Sequence, residues 1–432
     1  MAKIAIRENE TYRLRGPLSL KVLEGKILIA GFTAGLNFKT ILKSGKTIAF
    51  KSLSEGLVEI NVGTDGYIKS VPANEEVIDE WLAASKEILS KKKGETLRVV
   101  ILGGTDSGKT SFTTFLANNA LAQGFRVAVL DADIGQADIG PPSCISLSML
   151  REHVVSLREC SPDIMYFVGF DTPSYAPEKV VSGVLKILRE GENLSPYITI
   201  INTDGWIEGI RAYIYKRALI EAIEPNIIAF MGKISANTAM ANYLYDYDVI
   251  EVPSPKVYAK KSPPKRKAFR ESNYMRFLQD SSMITLNADE IKILNTHLFH
   301  GDPLPAVDKE IIEEVLNTRV IHHEKYKDEL LIIVADNIKV NKTSITLIKM
   351  ALQHIGNVKI VKAGDEKNIL VGILNEKGFC EGIGIIDKID YTKRKIRILT
   401  SCRKHRIKAI VLGLIKINRD GREIEKSPYR FL

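Results

Sequence analysis

The stretch Leu97–Ala122, LRVVILGGTDSGKTSFTTFLANNALA, decides how the chain is read. LRVVIL is a short continuous apolar run of strand length, and TSFTTFLANNALA reads as a helix. Between them, Gly103-Gly104-Thr105-Asp106-Ser107-Gly108-Lys109-Thr110 fits the phosphate-loop pattern G-x-x-x-x-G-K-[ST] in full. Average Gly, Lys and Ser/Thr usage produces it by accident in only about one or two chains in a hundred of this length. A strand entering and a helix leaving let backbone N–H groups and a helix N-terminus cradle phosphates. Gly103 through Ser111 are therefore the candidate ATP-binding loop, with Lys109 on the β/γ-phosphates and Thr110 on Mg²⁺. A glycine turn that binds nothing is the alternative this context argues against.

The same alternation continues outward. VAVLDAD, YITIIN, NIIAFM and VIEVP are short apolar runs separated by helical stretches at 109–123, 177–190 and 209–223, the signature of βαβ units around a parallel sheet. Residues 1–72 instead alternate apolar runs with Gly-centred turns, which predicts antiparallel strands in a small sandwich or barrel. From Pro72 to about Lys93, Val77, Trp81, Ile88 and Leu89 fall at helical spacing and predict a linking helix. After Pro303 and a helix near 308–317, strands and turns such as LLIIVADNIKV return, with one more helix at 343–355. The expected fold is α/β: a P-loop NTPase core with a parallel sheet (96–295, including a lid), flanked by an N-terminal β-sandwich-like domain (1–95) and a C-terminal β-rich domain (296–432).

Composition agrees. At about 150 residues per domain, 432 residues predict about three domains. With 45% hydrophobic and 26% charged residues, the chain is globular in class, which argues against long disorder. No run approaches the ~18 uncharged apolar residues of a membrane span, and MAKIAIRENE has no signal-peptide pattern. An intracellular, soluble protein is expected. Cys144, Cys160, Cys380 and Cys402 lack metal-site spacing and read as buried thiols. The net charge of +9 suits a polyanionic partner, and two runs concentrate it, 256–276 and 393–408.

Asp131-Ala132-Asp133 ends the strand VAVLDAD, where a P-loop protein places its metal-side carboxylate. Carboxylates two residues apart on a strand face one side, so one can serve Mg²⁺ while the other takes a proton from a hydroxyl. Spacing alone leaves open which of Asp131 and Asp133 is the base. Arg266 and Arg270 stand one helical turn apart, as arginines closing on a γ-phosphate would; a solvated basic face or a nuclear-localisation patch at PPKRK is the rival reading.

Taken together, these residues resemble the polynucleotide 5′-hydroxyl kinases: the RNA kinase of eukaryotic pre-mRNA cleavage and tRNA splicing, the nucleolar pre-rRNA-processing kinase, and archaeal relatives. The resemblance rests on Thr-Asp before Ser-Gly-Lys-Thr, on Asp133-Ile-Gly-Gln136 running to Gly140-Pro141-Pro142, on Asn202-Thr203-Asp204-Gly205-Trp206, and on Arg266 with Arg270, and it covers about 98–276. It implies ATP-dependent phosphorylation of a 5′-hydroxyl on single-stranded or end-exposed RNA, with DNA left open. Asp133, Lys109, Arg266 and Arg270 would be the catalytic residues. Thr110 and Asp131 would serve the metal, and Gln136, Thr172, Thr203 and Trp206 would contact nucleic acid. Trp206 would stack on a base, with core packing as its rival role. Around 169–174 the Asn of many eukaryotic members is not evident, so Thr172 stands in for the substrate clamp.

The resemblance also implies RNA-processing protein partners, no membrane and, with the compact N-terminus, a cytoplasmic archaeal member. A nucleotide-binding scaffold without kinase activity is the competing class. A GTPase or motor ATPase fits less well, since no Asn-Lys-x-Asp motif is present.

Overall fold

The computed structural model describes residues 2–92, 94, 96–257, 261–335, 342–352 and 355–427. Lys93, Lys260, the end of LLIIVADNIKV and residues 353 and 354, all included in expected elements, lie outside these. The chain forms two compact units, Met1–Gly140 with Ile145–Ile164 and Ala176–Arg266, and Pro141–Cys144 with Met165–Tyr175 and Lys267–Leu432. These do not follow the three-way division read from the sequence.

In the first unit, the N-terminal strands form two antiparallel sheets, of four and five strands, around a core that includes Leu14, Leu20, Ile27, Phe50 and Ile60. The β-sandwich expectation describes them. Side chains alternate inward and outward along Leu18–Glu24, as half-buried strands must.

The core sheet is built from the expected apolar runs, ordered Val127–Asp131, Ile198–Asn202, Leu97–Leu102, Ile227–Met231 and Val249–Val252, all parallel. Ile198–Asn202 and Ile227–Met231 are buried at every position, because helices cover both faces and leave no polar side to alternate. Cys144–Leu150, not anticipated as a strand, adds antiparallel to Val127–Asp131. The register sets Asp131 and Ile101 each beside Asn202, so these strands end at one level, at the carboxyl edge where open α/β sheets bind ligands.

The linking helix spans Ile78–Ser90 and buries Trp81 edge-on against Phe112 and Phe115 of the helix Lys109–Ala122. The sandwich packs on that second helix as well. Asn118, fully buried, donates to the carbonyls of Ala30 and Val154 at 2.7 Å and accepts from the Val154 N–H at 3.0 Å. These bonds tie the sandwich to that helix.

In the second unit, Ser282–Asn287, Lys395–Thr400, Cys380–Asp390, Ile369–Leu374, Ala409–Ile417 and Lys292–Leu294 form one sheet in that order. A smaller three-stranded sheet packs with the helices Ala306–Leu316 and Lys342–Ala351. Cys144, Cys160 and Cys380 are buried and Cys402 is half-buried. Among the described residues no helix is long and apolar enough to cross a membrane.

Replacing Asn118 by Ala strands the buried groups it satisfies, at about 1–3 kcal/mol each. The expected outcome is a loss of about 3 kcal/mol in the first unit's unfolding transition, read by denaturant titration.

Candidate active site

Backbone constraint shapes the phosphate loop. Gly103 and Gly108 adopt φ of 151° and 97°. A Cβ on Gly103 would lie 2.7 Å from Met231 Cβ, and one on Gly108 would lie 2.7 Å from Pro255 Cδ. Gly108 is the N-cap of the helix Lys109–Ala122, whose first N–H groups therefore open onto the loop. Lys109 is buried, and its ammonium donates to the carbonyls of Gly103 and Gly104 at 3.1 and 2.8 Å. Burial pulls its pKa down to about 8, against the opposing charge of Asp133.

At the end of the neighbouring strand, Asp131 is buried and saturated. Its Oδ2 accepts from the N–H of Asp138 at 2.7 Å and of Ile139 at 3.3 Å; Oδ1 accepts from Asn202 Nδ2 at 3.0 Å and the Asp133 N–H at 3.3 Å. Burial, with the charges of Asp138 and Asp133, pushes its pKa up to about 7. Asn202 Nδ2 also lies 3.4 Å from Thr110 Oγ1, while Asn202 Oδ1 is buried with no partner among the described residues.

Asp133 is half-buried, and its Oδ1 accepts from the N–H of Gly135 and Gln136 at 3.2 and 2.9 Å. Burial and then Asp204 raise its pKa, with Lys109 pulling the other way. Gln136 donates through Nε2 to its neighbour Gly135 and, at 3.4 Å, to the carbonyl of Arg266; its Oε1 is a second buried orphan among the described residues.

The loop after Ile198–Asn202 completes this edge. Asp204 Oδ2 accepts from Lys216 Nζ and Tyr215 OH, each at 2.8 Å, and Oδ1 accepts from the Trp206 N–H at 2.9 Å. Trp206 is half-buried and stacks on Tyr215 with centroids 5.7 Å apart. Gly205 sits so close to the phosphate loop that a Cβ would lie 2.7 Å from Thr105 Cα. Arg266 donates to Asp106 Oδ2 at 2.9 Å, and the same oxygen accepts the Lys261 N–H at 3.1 Å.

Lys109, Thr110, Asp131, Asp133, Gln136, Trp206 and Arg266 thus line one edge of the first unit. Thr203 does not present itself to a ligand: it has no exposed surface, and its hydroxyl donates to the carbonyl of Ile101 at 2.8 Å. Arg270 and Thr172 belong to the second unit. There Arg270 pairs with Glu423 through Nε and Nη2 and with Asp171 at 3.0 Å, and Thr172 bonds Ser174 in a local turn. Asn202 and Gly205 were given no role from sequence, although Asn-Thr-Asp-Gly-Trp was the signal that could have found them.

Residues 103–280 match the family model described as the P-loop of the mRNA cleavage and polyadenylation factor CLP1. A polyribonucleotide 5′-hydroxyl-kinase of Pyrococcus horikoshii is 31% identical over 83% of this chain and 96% of its own length. The chain belongs to the polyribonucleotide 5′-hydroxyl-kinase family. Another member, from Methanocaldococcus jannaschii, is 30% identical over 77% of this chain and 91% of its own. The solved structure of the wild-type Clp1p–Pcf11p complex shares the fold, with TM-score 0.61 and 14% identity over 96% of this chain and 97% of that one. Membership in this family of P-loop kinases implies ATP binding.

The family's phosphate loop should be sensitive to its neighbour. Gly205→Ala introduces overpacking of about 1–3 kcal/mol against Thr105, expected as about ten- to hundredfold weaker ATP binding in calorimetry. In the second unit, Glu423→Ala removes the bidentate partner of a buried guanidinium and should cost about 3 kcal/mol of stability in chemical denaturation.

Proposed function

We propose that this chain transfers the γ-phosphoryl group of ATP to the 5′-hydroxyl of RNA, with Asp133 as the base. The observation that carries this reading is the unequal use of the two carboxylates. Both oxygens of Asp131 are taken up by N–H donors, whereas Asp133 spends only Oδ1 on its own turn. A metal-side framework carboxylate beside a second, less committed one supplies the base that a hydroxyl nucleophile needs.

The residues fit a nucleotide with Mg²⁺. Gly103 and Gly108 hold the loop in a path no side chain would permit, Ser107 Oγ is a buried orphan among the described residues, and the Thr110 hydroxyl is held by Asn202. Thr110 would hold Mg²⁺, with Asp131 acting through Asn202 and through the order of its own loop. When bound, the metal neutralises charge on the phosphate oxygens.

Asp133 accepts the proton as the 5′-oxygen forms its bond to the γ-phosphorus. The bond from that phosphorus to the β–γ bridging oxygen breaks, its electrons stay on ADP, and the products are ADP and a 5′-phosphorylated chain. Lys109 and Arg266 stabilise charge on the transferring group. Trp206 offers an aromatic face to the terminal base, which binds without reading sequence. Gln136 steadies Asp133 through its N–H and the lid through Arg266. Arg270 anchors its helix to the strand Glu423–Lys426 within the second unit. Kinship with kinases of Pyrococcus and Methanocaldococcus, archaea without a nucleus, supports a cytoplasmic setting.

The test is label transfer from γ-labelled ATP to matched RNA and DNA oligonucleotides bearing a 5′-hydroxyl or a 5′-phosphate. Transfer to the 5′-hydroxyl substrate alone is expected, and Asp133→Asn should lower kcat by about 10²–10⁴-fold with ATP affinity unchanged. Wild-type protein that binds ATP yet labels neither substrate would refute the reading.

A further inference from the structure

The fold divides the basic run 393–408, which no step above uses. Its first half opens the strand Lys395–Thr400, and both of its arginines are matched by acids: Arg394 donates to Asp289 at 2.7 Å, and Arg397 pairs with Asp387. The second half follows the other end of that strand. Arg403, Lys404, Arg406 and Lys408 are all exposed around the 3₁₀ turn Lys404–Arg406. The Lys408 N–H donates to the Leu374 carbonyl at 2.9 Å, which fixes this turn beside the hairpin at 375–379.

Charge in the second half is nearly unopposed. Arg406 reaches Glu381 at 3.4 Å across exposed surface, a contact of little weight in water. Among the described residues, Arg403, Lys404 and Lys408 enter no ion pair. The turn also lacks an apolar anchor, since its one large hydrophobic residue, Ile407, is buried. Protein interfaces concentrate their energy in aromatic and apolar anchors, whereas a phosphate backbone asks only for clustered cations.

We propose that Arg403, Lys404, Arg406 and Lys408 form a docking surface for the phosphate backbone of RNA. The identity of the polyanion rests on the kinase reading above. Backbone contacts position a strand without reading its sequence, in keeping with a kinase that acts on ends.

The experiment compares two variants of equal net charge. One carries Arg403→Gln, Lys404→Gln, Arg406→Gln and Lys408→Gln; the control carries Lys393→Gln, Arg394→Gln, Lys395→Gln and Arg397→Gln. Binding of a 5′-hydroxyl RNA of about 20 nucleotides is followed by anisotropy from about 50 to 200 mM salt. At about 0.7 per phosphate contact, the first variant should lower the salt slope by about 3. Its Kd for that RNA should rise about tenfold at the lower salt. The control should keep close to the wild-type slope.

An unchanged slope in the first variant or an equal loss in the control would overturn the proposal. Because anisotropy needs no phosphoryl transfer, failure of the kinase reading would appear separately, as wild-type protein that binds RNA but labels nothing.

Discussion

The active edge of the first unit depends on one buried carboxylate. Moving a charge of this size out of water costs several kcal/mol, and Asp131 offsets that with four N–H donors drawn from three places: its own loop at Asp133, the segment at Asp138 and Ile139, and the adjacent strand at Asn202. The bonds from Asp138 and Asn202, at 2.7 and 3.0 Å, are the close ones. Asp131 therefore fixes the path of residues 131–139, and with it the place of Asp133 and Gln136. Through Asn202 it also reaches Thr110 at the start of the phosphate-loop helix.

A second buried acid settles the remaining electrostatics. Asp204 is bonded to Lys216, Tyr215 and the Trp206 N–H, so its charge is matched locally and its loop is held against the phosphate loop. Lys109 is then left to answer Asp133, and the influence is mutual: each opposes the effect of burial on the other. A cation and a carboxylate held in one poorly solvated place are worth more to a reaction that moves charge between them than the same pair in water.

Much of this was legible in the chain. Glycine and lysine at fixed spacing between a strand and a helix are local signals, and the helices fall within a few residues of their expected bounds because apolar period and flanking Gly and Pro are local too. Contacts between distant segments were not legible. Thr203 looks available in Asn-Thr-Asp-Gly-Trp until strand pairing shows that its hydroxyl is absorbed by Ile101. Arg270 looks free until Glu423 is brought to it from near the end of the chain. Asn118 reads as an ordinary helix residue, yet it joins the sandwich to the core. The basic run 393–408 reads as one patch because sequence distance ignores the length of the strand inside it.

The two lid arginines illustrate how environment separates residues that sequence treats alike. Arg266 pairs with Asp106, a phosphate-loop residue held at φ of 59°, and its side chain keeps a third of its surface in solvent. Such a pair contributes about 0–1 kcal/mol, so a phosphate bearing more charge than a carboxylate can take the guanidinium from Asp106 at little cost. Arg270 is far less exposed, and it faces two carboxylates, Asp171 and Glu423, that are themselves almost buried. Removing it from them would leave two almost buried acids to Lys426 alone, which pairs with both, and breaking so buried a pair costs more than breaking a surface one. Of two arginines one turn apart, Arg266 is the more loosely held, and its partner Asp106 belongs to the phosphate loop.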